Sequence, residues 1–253
     1  MSHIRIRLRY AKTGPVRFIS HLDELRVWER AIRRAELPLA FTQGFSPRPR
    51  MHFGPALPTG FSSSSEYLDV DLTEDLSPDV VASRVSIMLP DGMYVLAAGV
   101  ADKSAASLQQ AVTAAEYVVA LYDFDGDLGG AIDELVGRDE LVVTILKKGS
   151  EREVDLRPGI LAIEAGLESA VRVPRELSRE FSNDSDADRV LAPHFWCRLA
   201  TQPRNVRPTE VLKALSSAQS DTPEPRLVHR TAMLLDPIER ELEPIPLVDY
   251  VNT

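Results

Sequence analysis

Arg26, Arg30, Arg33 and Arg34 fall at i, i+4, i+7 and i+8, the spacing that puts four guanidinium groups on one side of a helix. Such a stripe suits the phosphates of a nucleic acid, which rows of cations neutralise whatever the base sequence. The competing reading is a solvated helix face partly neutralised by Glu29 and Glu36, and spacing alone leaves both open. In front of that helix, Arg17 precedes Ser20 and His21, where free backbone N–H groups and the positive end of the helix dipole make an anion site. Behind it, the loop TQGFSPRPRMH carries Gly44 for an unusual backbone angle, Pro47 and Pro49 to hold Arg48 and Arg50 extended, and then His52. Phe45 in the same loop can stack on a base if exposed; its expected role is to anchor the loop to the core.

His21 sits in the first turn of the helix, where the dipole lowers an imidazole pKa towards general acid–base use, but capping or hydrogen bonding is the expected role. His21, His52 and Asp23 match no spaced metal motif, and neither a metal nor a cofactor is expected. No P-loop, GxGxxG turn or GxSxG elbow is present. Gly126, Gly129 and Gly130 lie among aspartates that repel phosphate, so they read as a helix start. In the second half, Arg204 and Arg207 stand just before Pro208 at the expected first helical position, and Arg157 sits at a tight turn, which adds two further anion-accepting places.

These residues need elements to hold them. Ile4, Ile6, Leu8 and Tyr10 alternate with Arg5, Arg7 and Arg9 at period two, a strand with one core face and one arginine face. Ser20 starts a helix, along which Leu22, Leu25, Trp28, Ala31, Ile32 and Ala35 form the apolar side up to about Glu36. MHFGPAL, EYLDVDL, PDVVASRVSIML and MYVLAAGVA then read as strand, strand, helix and strand. That βαββαβ order is the ferredoxin-like unit, in which the first strand lies antiparallel beside the third. Asp69 and Asp71 would then face the arginine comb, giving Arg5, Arg7 and Arg9 a structural role. With Tyr67 the one outward aromatic on these strands, an RRM-type RNA reader is not expected.

The order recurs. AAEYVVALY, DLGGAIDELV, LVVTILKK, a hairpin region through VDLRPGILAIEA, HFWCRLA, PTEVLKALSS and RLVHRTAMLL give a second unit. The expected class is therefore α+β, two tandem ferredoxin-like units with antiparallel sheets, covering residues 1–102 and 114–236, with a linker at 103–113. An exposed acidic insertion near 174–192 and a proline-spaced tail at 237–253 complete the division.

The 253 residues carry a net charge of −9, unevenly spread: residues 1–60 hold 11 Arg/Lys against 4 Asp/Glu, a net of +7, leaving −16 for the rest. Clustered charge, not total charge, marks a nucleic-acid binder. A single cysteine, Cys197, excludes an internal disulfide and any Cys-clustered metal site within these residues. With no apolar run of signal-peptide or membrane-span type, the expected place is the cytoplasm.

Gly14, Arg17, Phe18, the run Ser20-His21-Leu22-Asp23, Arg30-Ala31, Arg33-Arg34-Ala35, Leu37-Pro38 and Gly44-Phe45-Ser46-Pro47 together resemble the radical-SAM-linked family of uncharacterised bacterial proteins. Glu66-Tyr67-Leu68-Asp69, Asp155-Leu156-Arg157-Pro158 and the loop from Asn205 to Pro208 extend the resemblance over most of the chain. In that family the domain is either a separate protein encoded near a radical SAM protein or fused behind a cobalamin-binding radical SAM module. The resemblance implies association with radical SAM chemistry, and with RNA, since family genes lie near those for ribonuclease E/G and ribosomal proteins. A radical SAM cluster needs a CxxxCxxC motif, so with one cysteine here the enzyme must be a separate partner.

Three readings follow. The first is a non-catalytic accessory protein that presents structured RNA, such as tRNA or rRNA, to the radical SAM partner for modification or processing. The second is a metal-independent RNA endonuclease in which His21 assists attack by a ribose 2′-OH, by analogy of architecture with CRISPR RNA endonucleases. The third is a protein-interaction module that docks on the radical SAM partner with RNA playing no part.

Overall fold

The arginine–apolar alternation at the start of the chain forms strand β1 (Ile4–Lys12), whose even-numbered side chains enter the core. The structure is a computed structural model and describes residues 4–104, 106–147, 149–166, 193–216, 222–236 and 240–241. The expected acidic insertion near 174–192 and nearly all of the tail from 237 lie outside the described residues. The chain is a mixed α+β protein with mostly antiparallel sheet, and it divides into two units at Val112/Thr113.

In the first unit, β1 is followed by helix α1 (His21–Arg34), strands β2 (Met51–Phe53) and β3 (Ser62–Leu72), helix α2 (Pro78–Ser86) and strand β4 (Met93–Val100). β1 lies between β4 and β3, antiparallel to both, and β2 pairs with β3, so the strands run β4-β1-β3-β2 across the sheet. Ile6, Leu8, Leu68, Val70 and Leu72 pack with Trp28, Ala31 and Ile32 of α1 and Val81, Ala82 and Val85 of α2, so both helices cover one face of the sheet. α1 starts where Ser20 Oγ accepts from the Asp23 N–H at 3.2 Å. It stops at Glu36, which takes a positive φ of 53°. The segment read as a linker contains a one-turn helix, α3 (Leu108–Ala111).

In the second unit the elements are β5 (Ala114–Leu121), α4 (Leu128–Val136), β6 (Val142–Lys147), β7 (Ser150–Asp155), β8 (Ile160–Ala165), β9 (His194–Ala200), α5 (Pro208–Ser216) and β10 (Pro225–Asp236). Their sheet runs β10-β5-β9-β8, all antiparallel neighbours. Asp127 caps α4 by accepting from the Gly129 N–H at 3.0 Å, so the glycines there do open a helix. One expectation is corrected: LVVTILKK does not join the main sheet. β6 pairs with β7 in a two-stranded sheet of its own, and β8 takes the place beside β9. In β6 Val143 is buried and Ile145 half-buried while Val142 and Leu146 are exposed, and β7 is almost wholly exposed, so the pair has one apolar face and no two-sided core to join. Among the described residues, no helix is long and apolar enough to cross a membrane.

Candidate functional site

The outer side of α1 carries the arginine stripe as its spacing requires. Arg26, Arg30, Arg33 and Arg34 are all exposed, on the side of the helix opposite buried Trp28 and Ile32. Arg26 pairs with Asp23 at 3.0 Å. Arg30, Arg33 and Arg34 form no ion pair with any described residue, Glu29 and Glu36 included. Three guanidinium groups therefore reach solvent with their charge intact.

Where α1 ends, the chain forms a hairpin finger. Leu39 bridges to Leu72 at the end of β3, Phe41 bridges to Pro49, and the Arg50 N–H donates to the Ala40 carbonyl at 2.9 Å. Further out, the Thr42 N–H donates to the Arg48 carbonyl and the Arg48 N–H to Thr42 Oγ1, each at 2.9 Å. Gly44 makes the turn with φ 131°. Phe45 at the tip is fully exposed, which corrects its expected role as a core anchor: the two arms pair with one another, so nothing draws the tip inward. Arg48 is exposed beside it.

Arg50 and His52 lead back to the other face of the sheet. There Arg5 Nε donates to Asp71 Oδ1 and Arg7 Nε to Asp69 Oδ1, both at 2.7 Å, in the register Arg5↔Asp71 and Arg7↔Asp69. Arg50 lies 3.8 Å and His52 3.9 Å from Asp71. Burial alone would raise the Asp71 pKa, but the hydrogen bond and charge of Arg5, with His52 and Lys103, hold it below the usual carboxylate value. Arg5 and Arg7 of the comb thus form an ion-pair ladder, as the pairing with Asp69 and Asp71 implies, while Arg9 stands across from Tyr67 and is not part of it. Arg50 and His52 belong to it, apart from the α1 stripe.

A third group was not legible as a site. Glu24 faces inward from α1 and is 2% exposed; it accepts from Tyr10 Oη at 2.6 Å and Lys12 Nζ at 2.9 Å. The inward side of α1 runs 24, 28, 31, 32 and 35, so Glu24 holds the place expected of Leu22, which is instead 57% exposed. Lys12 continues the inward parity of Ile6, Leu8 and Tyr10, and a lysine on an inward strand position demands a buried acid. That demand was the missed signal. Glu66 pairs across from Tyr10 on the same face. Burial, then the Glu24 and Glu66 carboxylates, push the Tyr10 phenol well above its ordinary pKa. His21 closes the group: its ring meets Phe53 edge-on at 5.4 Å, and Nδ1 stands 3.9 Å from Glu24 Oε2. Tyr10, His21, Glu24, Phe53 and Glu66, with Gly54, Ala56, Leu57 and Tyr67, line one small recess.

Arg17 is half-buried, with its guanidinium 4.9 Å from the Phe18 ring and its carbonyl accepting from Gly60 N–H at 2.8 Å. Ser20, the helix cap, is exposed. In the second unit Arg157 donates to the carbonyls of Arg138 and Ile160, and Arg204 pairs with Glu210 at 2.7 Å. Both therefore hold local structure, while Arg207 is exposed. Cys197 is buried, and burial pushes its thiol pKa far up, which makes it a packing residue. Among the described residues, no group of three His, Cys, Asp or Glu is placed to hold a metal ion.

A family model described as an uncharacterized protein conserved in bacteria (DUF2344) matches residues 5–189. That span takes in the α1 stripe, the finger, the ladder and the recess. No curated protein matches the chain.

Proposed function

The chain belongs to this bacterial family, and from that premise we propose that it is an accessory protein that binds structured RNA, tRNA or rRNA, through its first unit and presents it to a separate radical SAM enzyme. The observation that carries the reading is the outer side of α1, where Arg30, Arg33 and Arg34 keep their charge towards solvent next to an arginine-bearing finger. Lysines and arginines that neutralise phosphates release the counterions condensed on the nucleic acid, and that release supplies a large share of the affinity of such surfaces. The radical SAM partner is supported by the family resemblance of the Ser20–Asp23 and Gly44–Pro47 runs. The strand order of each unit, with the first strand beside the third and fourth, supports two tandem ferredoxin-like units. Titration of the full chain against small structured RNAs across a salt series tests the reading. Binding that weakens steeply with salt is expected, and absent or salt-insensitive binding contradicts it.

A second reading has one specific observation in its favour. His21 is partly exposed and lines the recess with Glu24 and Glu66, its Nδ1 3.9 Å from the Glu24 carboxylate. It would make the protein a metal-independent RNA endonuclease. RNA cleavage lost in His21→Ala with binding retained supports this reading, and absence of cleavage by the unaltered protein removes it.

A further inference from the structure

The finger exposes an aromatic ring where the fold gains nothing from it. Phe45 is fully exposed and Phe41 49% exposed, whereas the hairpin beneath them is tied by backbone hydrogen bonds and by the bridge from Phe41 to Pro49. A single exposed phenylalanine needs no explanation. One held at the end of a braced hairpin, three residues from exposed Arg48, is different in kind. The brace removes most of the entropy that a flexible loop would lose on binding. The electrostatics point the same way: residues 37–65 contain no Asp or Glu, and exposed Arg48 lies within them, Arg50 being shared with the Asp71 ladder. The finger also begins five residues after Arg34, the end of the arginine stripe. An apolar protein groove would bind Phe45 without need of this charge, whereas a nucleotide offers a π-face and a phosphate together.

We propose that the finger takes an unpaired nucleotide of the RNA, with Phe45 stacking on the base and Arg48 meeting an adjacent phosphate. The proposal rests on the RNA reading of α1 and narrows it: the substrate is an RNA with an exposed loop or bulge, not an uninterrupted duplex. Bases inside a duplex are already stacked and present only their edges, so Phe45 has nothing to cover there. Stacking is tolerant of base identity, so the finger selects unpaired structure and leaves sequence selection elsewhere.

The test uses the full chain and two RNAs of equal length and charge, a stem-loop and a blunt duplex, with affinity read by fluorescence anisotropy. Phe45→Ala should weaken stem-loop binding about ten-fold or more, leave its salt dependence unchanged because no charge is removed, and leave the duplex unaffected. Phe45→Trp should restore the loss. If the stem-loop binds Phe45→Ala as well as the unaltered chain while charge reversal at Arg30, Arg33 and Arg34 abolishes binding, the finger proposal falls and the α1 reading stands. If neither RNA binds the unaltered chain, both fall. Loss of a protein partner in Phe45→Ala with RNA affinity unchanged would make the tip a protein contact and overturn the proposal.

Discussion

Lys12 Nζ lies 2.9 Å from Glu24 Oε2 with neither side chain in reach of solvent. The pair ties the end of β1 to the first turn of α1, the helix that carries the arginine stripe. Tyr10 adds a second donor to the same carboxylate. The orientation of the basic face is thereby set from the core side, by a carboxylate that no exposed residue can replace.

Removing one partner leaves a buried charge uncompensated. Glu24→Gln or Lys12→Met should each cost about 3–5 kcal/mol. The double change Lys12→Met/Glu24→Leu should cost less than either alone, because no charge is then stranded. Denaturant unfolding of the four proteins checks this; single changes costing under about 1 kcal/mol would show that the pair is not sealed from water.

Tyr10 gives a signature at alkaline pH. Its folded pKa is raised above the ordinary value of 10.0, by burial first and then by Glu24 and Glu66. The folded state therefore holds the phenolic proton where the unfolded chain releases it. This contribution is fully present below pH 10.0 and is lost as pH rises towards the folded value. Tyr10→Phe should flatten the fall in stability above that pH, measured by denaturation across an alkaline series.

Asp71 acts at the other end of the scale. Its folded pKa is lowered from 3.8 by Arg5, against the opposing effect of burial. The stability it contributes is present above pH 3.8 and is lost as pH falls through the lower folded value. Asp71→Asn should be less stable than the unaltered protein at neutral pH and less sensitive to acid below pH 3.8. Equal acid sensitivity in the two would mean that the ladder is not the group titrating.

Much of this was legible from residue pattern. The alternation of Arg5, Arg7 and Arg9 with Ile6 and Leu8, set against Asp69 and Asp71, gave both the strand pairing and the ion-pair ladder, because strand parity has a period of two and tolerates no slip. The arginine stripe was legible for the same kind of reason, at helical spacing. Glu24 was missed because helix phase was read from the apolar residues: Leu25 does pack against the core, but Leu22 is exposed and the inward place in the first turn goes to the acid that a buried lysine on a neighbouring strand demands. The pairing of the finger was missed because its arms, residues 39–42 and 48–50, are too short to show alternation, so that it rests on backbone hydrogen bonds and the Thr42 hydroxyl.

The charge of α1 remains the centre of the functional reading. Arg30, Arg33 and Arg34 touch no carboxylate among the described residues, so reversing them to glutamate should shift stability by no more than about 0.5 kcal/mol per site. The most direct measurement is fluorescence anisotropy of the unaltered chain and of Arg30→Glu/Arg33→Glu/Arg34→Glu with a structured RNA across a salt series. Tight binding by the unaltered chain, falling steeply with salt and lost in a variant that remains folded, is the expected result. Equal binding by the two proteins, or none by the unaltered chain, would contradict a nucleic-acid role for this face.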